Sequence, residues 1–186
     1  MRTALNGDPA ATERYREAAR QLGSFGLRVH AAAVDQVAAS ALLIMQGRTA
    51  EIVGEPSLAD WFPELYALGL AAAGRAAEAR SAAGQMLLVP RGRMWLFMTG
   101  VRGLLGIAAD DRNRAGSAYQ ALLPYAAQPV GAESMLITLW PAAQILGELA
   151  RYLGLPGADA YYREALAIGE RAGVQLWRDA AASRLR

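Results

Sequence analysis

The sequence predicts an all-α fold, and composition and spacing together carry that prediction. Its 186 residues include 41 alanines but only 19 β-branched residues, namely 8 valines, 6 isoleucines and 5 threonines. Alanine is the strongest helix former, whereas β-branched residues favour strands. Apolar residues recur at helical spacing in segments that alternate with short connections rich in glycine and proline. This pattern is typical of antiparallel helical hairpins.

The first two helices are predicted between Asp8 and Gly47. Asp8-Pro9 begins the first, because aspartate caps free N–H groups and proline is tolerated at the first helical position, and the helix stops at Gly23. The second carries a heptad-like apolar stripe from Leu27 to Ile44 and ends at Gly47, a predicted left-handed C-cap. Only a short turn of helix fits residues 49–53.

The later helices are bounded by proline, glycine and aspartate. Pro63 lies in the first turn of a helix predicted from Asp60 to Ala73, where a missing N–H costs little. Asp110-Asp111 ends one helix and caps the next. Pro141 either kinks the helix that ends at Leu153 or marks its true start. The predicted helices that follow residue 73 cover residues 75–88, 93–109, 112–125, 132–153, 158–172 and 174–186.

Small and apolar residues recur at matching places in three of these hairpins. Small residues are needed where paired helices approach closely, and larger apolar residues where hairpins stack. We therefore predict one domain over residues 1–186, a right-handed stack of antiparallel hairpins with a C-terminal capping helix. Its units are a degenerate hairpin at 8–56, repeats at 60–88, 93–125 and 132–172, and a cap at 174–186. The aligned positions are Ala79, Ala115 and Ala158, then Ala83, Tyr119 and Tyr162 four residues later, and Leu87, Leu123 and Leu166 eight residues later.

This pattern resembles the tetratricopeptide repeat, an α-solenoid. Between Trp61 and Arg186, three segments are similar to the C-terminal helical-repeat region of large bacterial regulators, namely LuxR-type and antibiotic-regulatory activators and some cyclase-linked ATPases. They are VRGLLGIA at 101–108, SAYQALLPY at 117–125 and YREALAIGERAG at 162–173, followed by Trp177. The resemblance implies a sensor or scaffold module of a bacterial transcriptional regulatory system that binds a protein or a small ligand.

Several chemistries are excluded by missing residue types. The absence of cysteine excludes disulfides, zinc–thiolate sites and thiol nucleophiles, and the single histidine, His30, disfavours His-based metal sites and triads. All 19 basic residues are arginine, so no P-loop lysine exists. Gly100, Gly103 and Gly106 are better explained by close helix packing than by phosphate binding. We therefore expect no enzymatic activity, cofactor or metal.

Charge and hydropathy bear on partners and location. The net charge is only +2 and no run of five like charges occurs, so direct nucleic-acid binding is not predicted. The segment Met1–Pro9 lacks the apolar core of a signal peptide. The longest apolar stretches are interrupted by charged or polar residues, and Ser134–Gly147 spans 14 residues, short of the roughly 20 that cross a bilayer. We expect a cytoplasmic protein that does not bind membranes.

Three aromatics define the predicted binding site. Trp61, Phe97 and Trp140 each stand eighteen residues before the aligned alanines, a position that faces the concave groove in a tetratricopeptide-type stack. They would form an apolar wall for a partner helix or a flat hydrophobic ligand, with selectivity from Glu64 and Arg102. Alternatively, the groove is filled and these aromatics are ordinary core residues.

Two other functions remain open from the sequence. The chain is a self-association domain if an exposed apolar face pairs with a second copy. It is a small-molecule-binding biosynthetic or carrier protein if a substrate is buried between hairpins.

Overall fold

A computed structural model describes residues 28–84, 91–92, 94–132 and 137–186, together with the helical residue Glu17. No strand occurs among these residues, which confirms the predicted all-α class. The described residues also include two short 3-10 helices, Thr49–Gly54 and Leu123–Tyr125. The rest of the helix predicted from Asp8 lies outside the described residues. The α-helices from residue 28 onward are α1 Arg28–Met45, α2 Leu58–Trp61, α3 Pro63–Ala72, α4 Ala76–Ala83, α5 Trp95–Ala108, α6 Arg112–Leu122, α7 Ala142–Leu153, α8 Ala158–Ala172 and α9 Gln175–Arg184.

Two predicted helix boundaries are confirmed by their backbone geometry. Gly47 has φ +73° and follows α1 in the left-handed conformation that glycine adopts without strain. Asp111 caps α6, because its carboxylate accepts a hydrogen bond from the backbone N–H of Arg114 at 2.9 Å. The C-terminal end of α1 and the N-terminal end of α6 are therefore determined by the residues at these boundaries.

The prediction of one helix from Asp60 to Ala73 is wrong in one respect, because the structure divides this segment into two helices at Phe62. A residue that precedes proline is pushed out of the α region, and Phe62 has φ −140° and ψ 65°. Pro63 then occupies the first position of α3. Trp61 therefore ends the separate four-residue helix α2.

Pro141 marks the start of α7 rather than a kink. The sequence predicted a helix from residue 132, but residues 137–140 are not helical. They run alongside Val130 instead. Leu139 N–H donates to the Val130 carbonyl at 2.8 Å, and Val130 N–H donates to the Trp140 carbonyl at 3.1 Å. These bonds place Trp140 at the N-terminal end of α7.

Most helices that follow one another in sequence pack together, and so do two alternate pairs. Contacts join α3 to α4, α5 to α6, α7 to α8 and α8 to α9, while α5 also contacts both α3 and α7. Farther apart in sequence, α9 contacts α1. The helices α3, α5 and α7 thus form a row from which the candidate site is built.

Close packing explains the three glycines of α5, as predicted. A Cβ built on Gly106 would lie 2.7 Å from the backbone nitrogen of Ala115, and one on Gly100 would lie 2.8 Å from a Val130 methyl. A Cβ on Gly103 would meet the Ala118 methyl at 3.3 Å. No larger residue fits at Gly106 without moving α6 away from α5.

Candidate functional site

A cleft of about 520 Å³ lies where α1, α3, α5, α7 and α9 converge. Apolar side chains of Ile44, Leu68, Leu104, Ile107 and Trp140 contribute much of its wall. Clefts of this size and character are typical small-molecule sites. The remaining lining residues are Met45, Gln46, Gly47, Thr49, Ala72, Ala108, Gln144, Glu148, Ala180, Ser183 and Arg184.

One polar network joins α7 to α9 on one side of the cleft. Arg184 Nε donates to Glu148 Oε1 at 2.7 Å, and Gln144 Nε2 donates to the same oxygen at 3.0 Å. The hydrogen bond with Glu148 raises the pKa of Arg184 above its ordinary value. The Arg184 backbone carbonyl also accepts a bond from Arg151 Nη2 at 3.1 Å. The network therefore holds the C-terminal end of α9 against α7.

Two polar atoms of cleft-lining side chains have no hydrogen-bond partner among the described residues. Gln144 is 2% exposed, and its Oε1 is unpaired because its Nε2 faces Glu148. The indole Nε1 of Trp140 is likewise buried and unpaired. An unsatisfied buried polar group costs about 1–3 kcal/mol, and both atoms are covered by surrounding protein rather than exposed in the cleft.

Gly147 allows the Tyr162 ring of α8 to pack closely against α7. A Cβ on Gly147 would stand 2.6 Å from the ring of Tyr162 in α8. Burial, and to a smaller extent the charge of Glu148, raises the pKa of Tyr162 to about 12. Gly147 thus packs against α8 and does not line the cleft, whereas Leu68 and Leu104 do.

The structure does not bring the three predicted aromatics together. Trp140 lines the cleft, but Phe97 is completely buried and cannot contact a ligand in an open groove. The loop at Gly131 covers it, since a Cβ there would lie 3.2 Å from the Phe97 ring. Trp61 is 47% exposed and lies outside the cleft lining, because the break before Pro63 separates it from α3. Phe97 is an ordinary core residue, the alternative that the sequence left open.

Glu64 and Arg102 pair with each other instead of lining the cleft. Arg102 Nε lies 2.7 Å from Glu64 Oε1, and its Nη2 lies 3.0 Å from Oε2. The Glu64 side chain is completely buried, and Arg114 Nη1 stands 3.8 Å from its Oε1. These contacts link α3, α5 and α6, so the pair has a structural role here.

Sequence reasoning missed Gln144, Glu148 and Arg184. One signal was present, since Trp140, Gln144 and Glu148 follow one another at intervals of four, the spacing that places helical residues on one face. No local pattern connects Arg184 to that face, because it lies 36 residues after Glu148.

No protein-family model, curated protein or solved structure matches this chain. Within the described ranges, no helix is both long and apolar enough to span a bilayer. The same residues contain no cluster of three or more histidine, aspartate or glutamate side chains that could hold a metal ion.

Proposed function

We propose that this protein is a non-enzymatic binding module that holds a small, mainly apolar ligand in the cleft between α1, α3, α5, α7 and α9. The observation that carries the proposal is the cleft itself, at about 520 Å³ with apolar walls. The polar lining residues Gln46, Thr49 and Ser183 support it, because ligand sites combine apolar walls with a few polar groups that fix orientation.

The cleft belongs to the concave face of a right-handed, tetratricopeptide-like stack in this proposal. The contacts support that arrangement, because α3, α5 and α7 touch in sequence and each is followed by a helix packed against it. In such stacks the first helices of successive hairpins line the inner surface. Leu68, Leu104 and Gln144 come from these three helices.

The proposed biological role is sensing in a bacterial regulatory system, with carriage of a small molecule as the alternative use of the same cleft. The sensing role rests on the resemblance to helical-repeat regions of bacterial regulators. The placement of α1 and α9 supports it, since helices far apart in sequence both line the cleft, and a ligand that contacts both can change how they pack.

Blocking the cleft tests the proposal. Ala108 is exposed at the end of α5 and lines the cleft, so Ala108→Trp fills the space without disturbing the core. Ala77→Trp is the matched control, because Ala77 is exposed on α4 and outside the cleft lining. A thermal-shift screen of small apolar molecules supports the proposal if its hits stabilise wild type and Ala77→Trp but not Ala108→Trp. Hits that stabilise Ala108→Trp equally contradict it.

Self-association is the second candidate, and the exposure of Trp61 favours it. A tryptophan that is 47% exposed beside the half-buried Phe62 offers an apolar contact outside the cleft. Light scattering distinguishes self-association through Trp61 from association through the cleft. A dimer that dissociates on Trp61→Ala but persists on Ala108→Trp supports self-association, and a monomeric wild type removes it.

A further inference from the structure

We infer that the cleft selects uncharged ligands, an inference that rests on the proposed binding function. Its charged lining residues are only Glu148 and Arg184 among the sixteen that the described part of the chain contributes. Both lie on one side of the cleft, in α7 and α9. The wall contributed by α3 and α5 consists of Leu68, Ala72, Leu104, Ile107 and Ala108 and has no ionisable group.

The two charges neutralise each other. Arg184 Nε and Glu148 Oε1 are 2.7 Å apart, and the same oxygen also accepts a bond from Gln144. Glu148 is 18% exposed at its side chain, so this carboxylate depends on the two bonds for its stability. A charged ligand that replaced either partner in this pair would leave the other without its countercharge.

Neutral polar groups are accommodated differently. The lining includes Gln46, Thr49 and Ser183, whose side chains are polar and uncharged. An amide or hydroxyl group can exchange hydrogen bonds with such side chains without a countercharge. An ionised carboxylate, sulfonate or ammonium group instead needs a countercharge, because burial of an unpaired ion is far more costly than burial of a neutral polar group.

Two fluorescent probes that share one carbon skeleton test this inference. N-phenyl-1-naphthylamine is uncharged, and 8-anilinonaphthalene-1-sulfonate adds one sulfonate to the same rings. Both become brighter in apolar surroundings, so titration of the whole chain gives a Kd for each. We expect the uncharged probe to bind wild type at least about tenfold more tightly than the sulfonate. Ala108→Trp should abolish the uncharged probe's signal, and Ala77→Trp should retain it.

Charge variants provide the decisive comparison. Glu148→Gln leaves the Arg184 guanidinium without its countercharge, so the preference for the uncharged probe should shrink or reverse. Arg184→Gln leaves the Glu148 carboxylate with the Gln144 hydrogen bond but without its countercharge, and should weaken sulfonate binding further. The double variant restores neutrality and should return the preference to that of wild type. Circular dichroism confirms that each variant is folded, and Arg184→Gln, at an exposed residue, is the safeguard if Glu148→Gln unfolds.

The outcomes separate this inference from the proposed function. Equal Kd values for the two probes on wild type, or a preference unchanged by both single variants, overturns charge selection and leaves the binding function standing. Absence of binding by the uncharged probe also overturns the inference. In that case, the comparison of Ala108→Trp with Ala77→Trp in the wider screen decides whether the binding function fails as well.

Discussion

Glu64 and Arg102 form a two-point ion pair in the interior, with Nε to Oε1 at 2.7 Å and Nη2 to Oε2 at 3.0 Å. The carboxylate is fully buried, whereas the arginine side chain keeps 20% of its surface exposed. The pair joins α3 to α5, two helices that pack against each other and whose other residues line the cleft. Because both hydrogen bonds must keep their length, the ion pair fixes the position of α3 relative to α5.

Removal of the arginine is expected to destabilise the protein strongly. Arg102→Met leaves the Glu64 charge buried, with Arg114 as the remaining cation near it among the described residues, and such broken pairs cost about 3–5 kcal/mol. The double variant Glu64→Leu/Arg102→Met removes both charges and should recover most of that loss. Urea denaturation measures the free energy of unfolding of each.

An exposed pair of the same geometry provides the control. Arg75 and Glu78 approach to 2.6 Å on the surface, where such pairs contribute little. Arg75→Met should therefore leave the urea midpoint almost unchanged. A loss for Arg102→Met no greater than that for Arg75→Met shows that the buried pair is not structural.

Alanine substitutions at two helical glycines should act in opposite directions. Gly106→Ala forces a methyl to within 2.7 Å of the Ala115 backbone nitrogen, and overpacking of this kind costs about 1–3 kcal/mol. Gly116, inside α6, has no described atom within 4 Å of its built Cβ. Gly116→Ala should stabilise by about 0.5–1 kcal/mol, because alanine loses less backbone entropy in a helix.

Thermal denaturation of the two variants checks this pair of predictions. A lower Tm for Gly106→Ala with a higher Tm for Gly116→Ala is the expected result. Equal shifts would mean that helix propensity, not the contact between α5 and α6, determines the effect.

The sequence was sufficient for features that depend on neighbouring residues. Gly47, the cap at Asp111 and the close-packed glycines of α5 each follow from a local rule of backbone geometry or sterics. The break at Phe62 also has a local cause, the proline that follows it, but a proline in a first turn and a proline after a break look alike in sequence.

The site was only partly predictable, because its members meet through tertiary contacts. Trp140 was found from the repeat alignment, yet Phe97 at the equivalent position is buried under a loop that the alignment does not reveal. Arg184 reaches Glu148 across 36 residues, and Glu64 takes Arg102 as its partner across 38. Helix packing places Glu148 in the cleft and Glu64 in the interior. No short sequence pattern distinguishes these two acidic residues.

The capping bond of Asp111 should make stability depend on pH in the acid range. Its pKa is lowered from 3.8, chiefly by the backbone N–H of Arg114, so the unfolded state binds the proton more readily than the folded state. Stability from this group is present above pH 3.8 and is lost as pH falls through the lower folded pKa. Asp111→Asn keeps an acceptor but cannot titrate.

Urea midpoints of wild type and Asp111→Asn at pH 7 and near pH 3 provide the measurement. The advantage of aspartate over asparagine should shrink at the lower pH. Asp111→Ala is the matched cap deletion and should lose about 0.5–2 kcal/mol at neutral pH. An advantage of aspartate that grows on acidification would contradict the assignment.

Tyr162 should make stability depend on pH in the alkaline range with the opposite sign. Burial raises the pKa of its hydroxyl to about 12, above the ordinary 10.0, so the unfolded state loses its proton first. Stability from this group is intact below pH 10 and declines as pH rises toward 12. Tyr162→Phe keeps the ring that packs on Gly147 and removes the titrating group. Relative to wild type, the variant should therefore gain about 1 kcal/mol in free energy of unfolding between pH 8 and pH 11. Urea denaturation at the two pH values measures that gain, and a difference between the proteins that stays constant over this range means that the Tyr162 hydroxyl ionises in the folded protein as easily as in the unfolded chain.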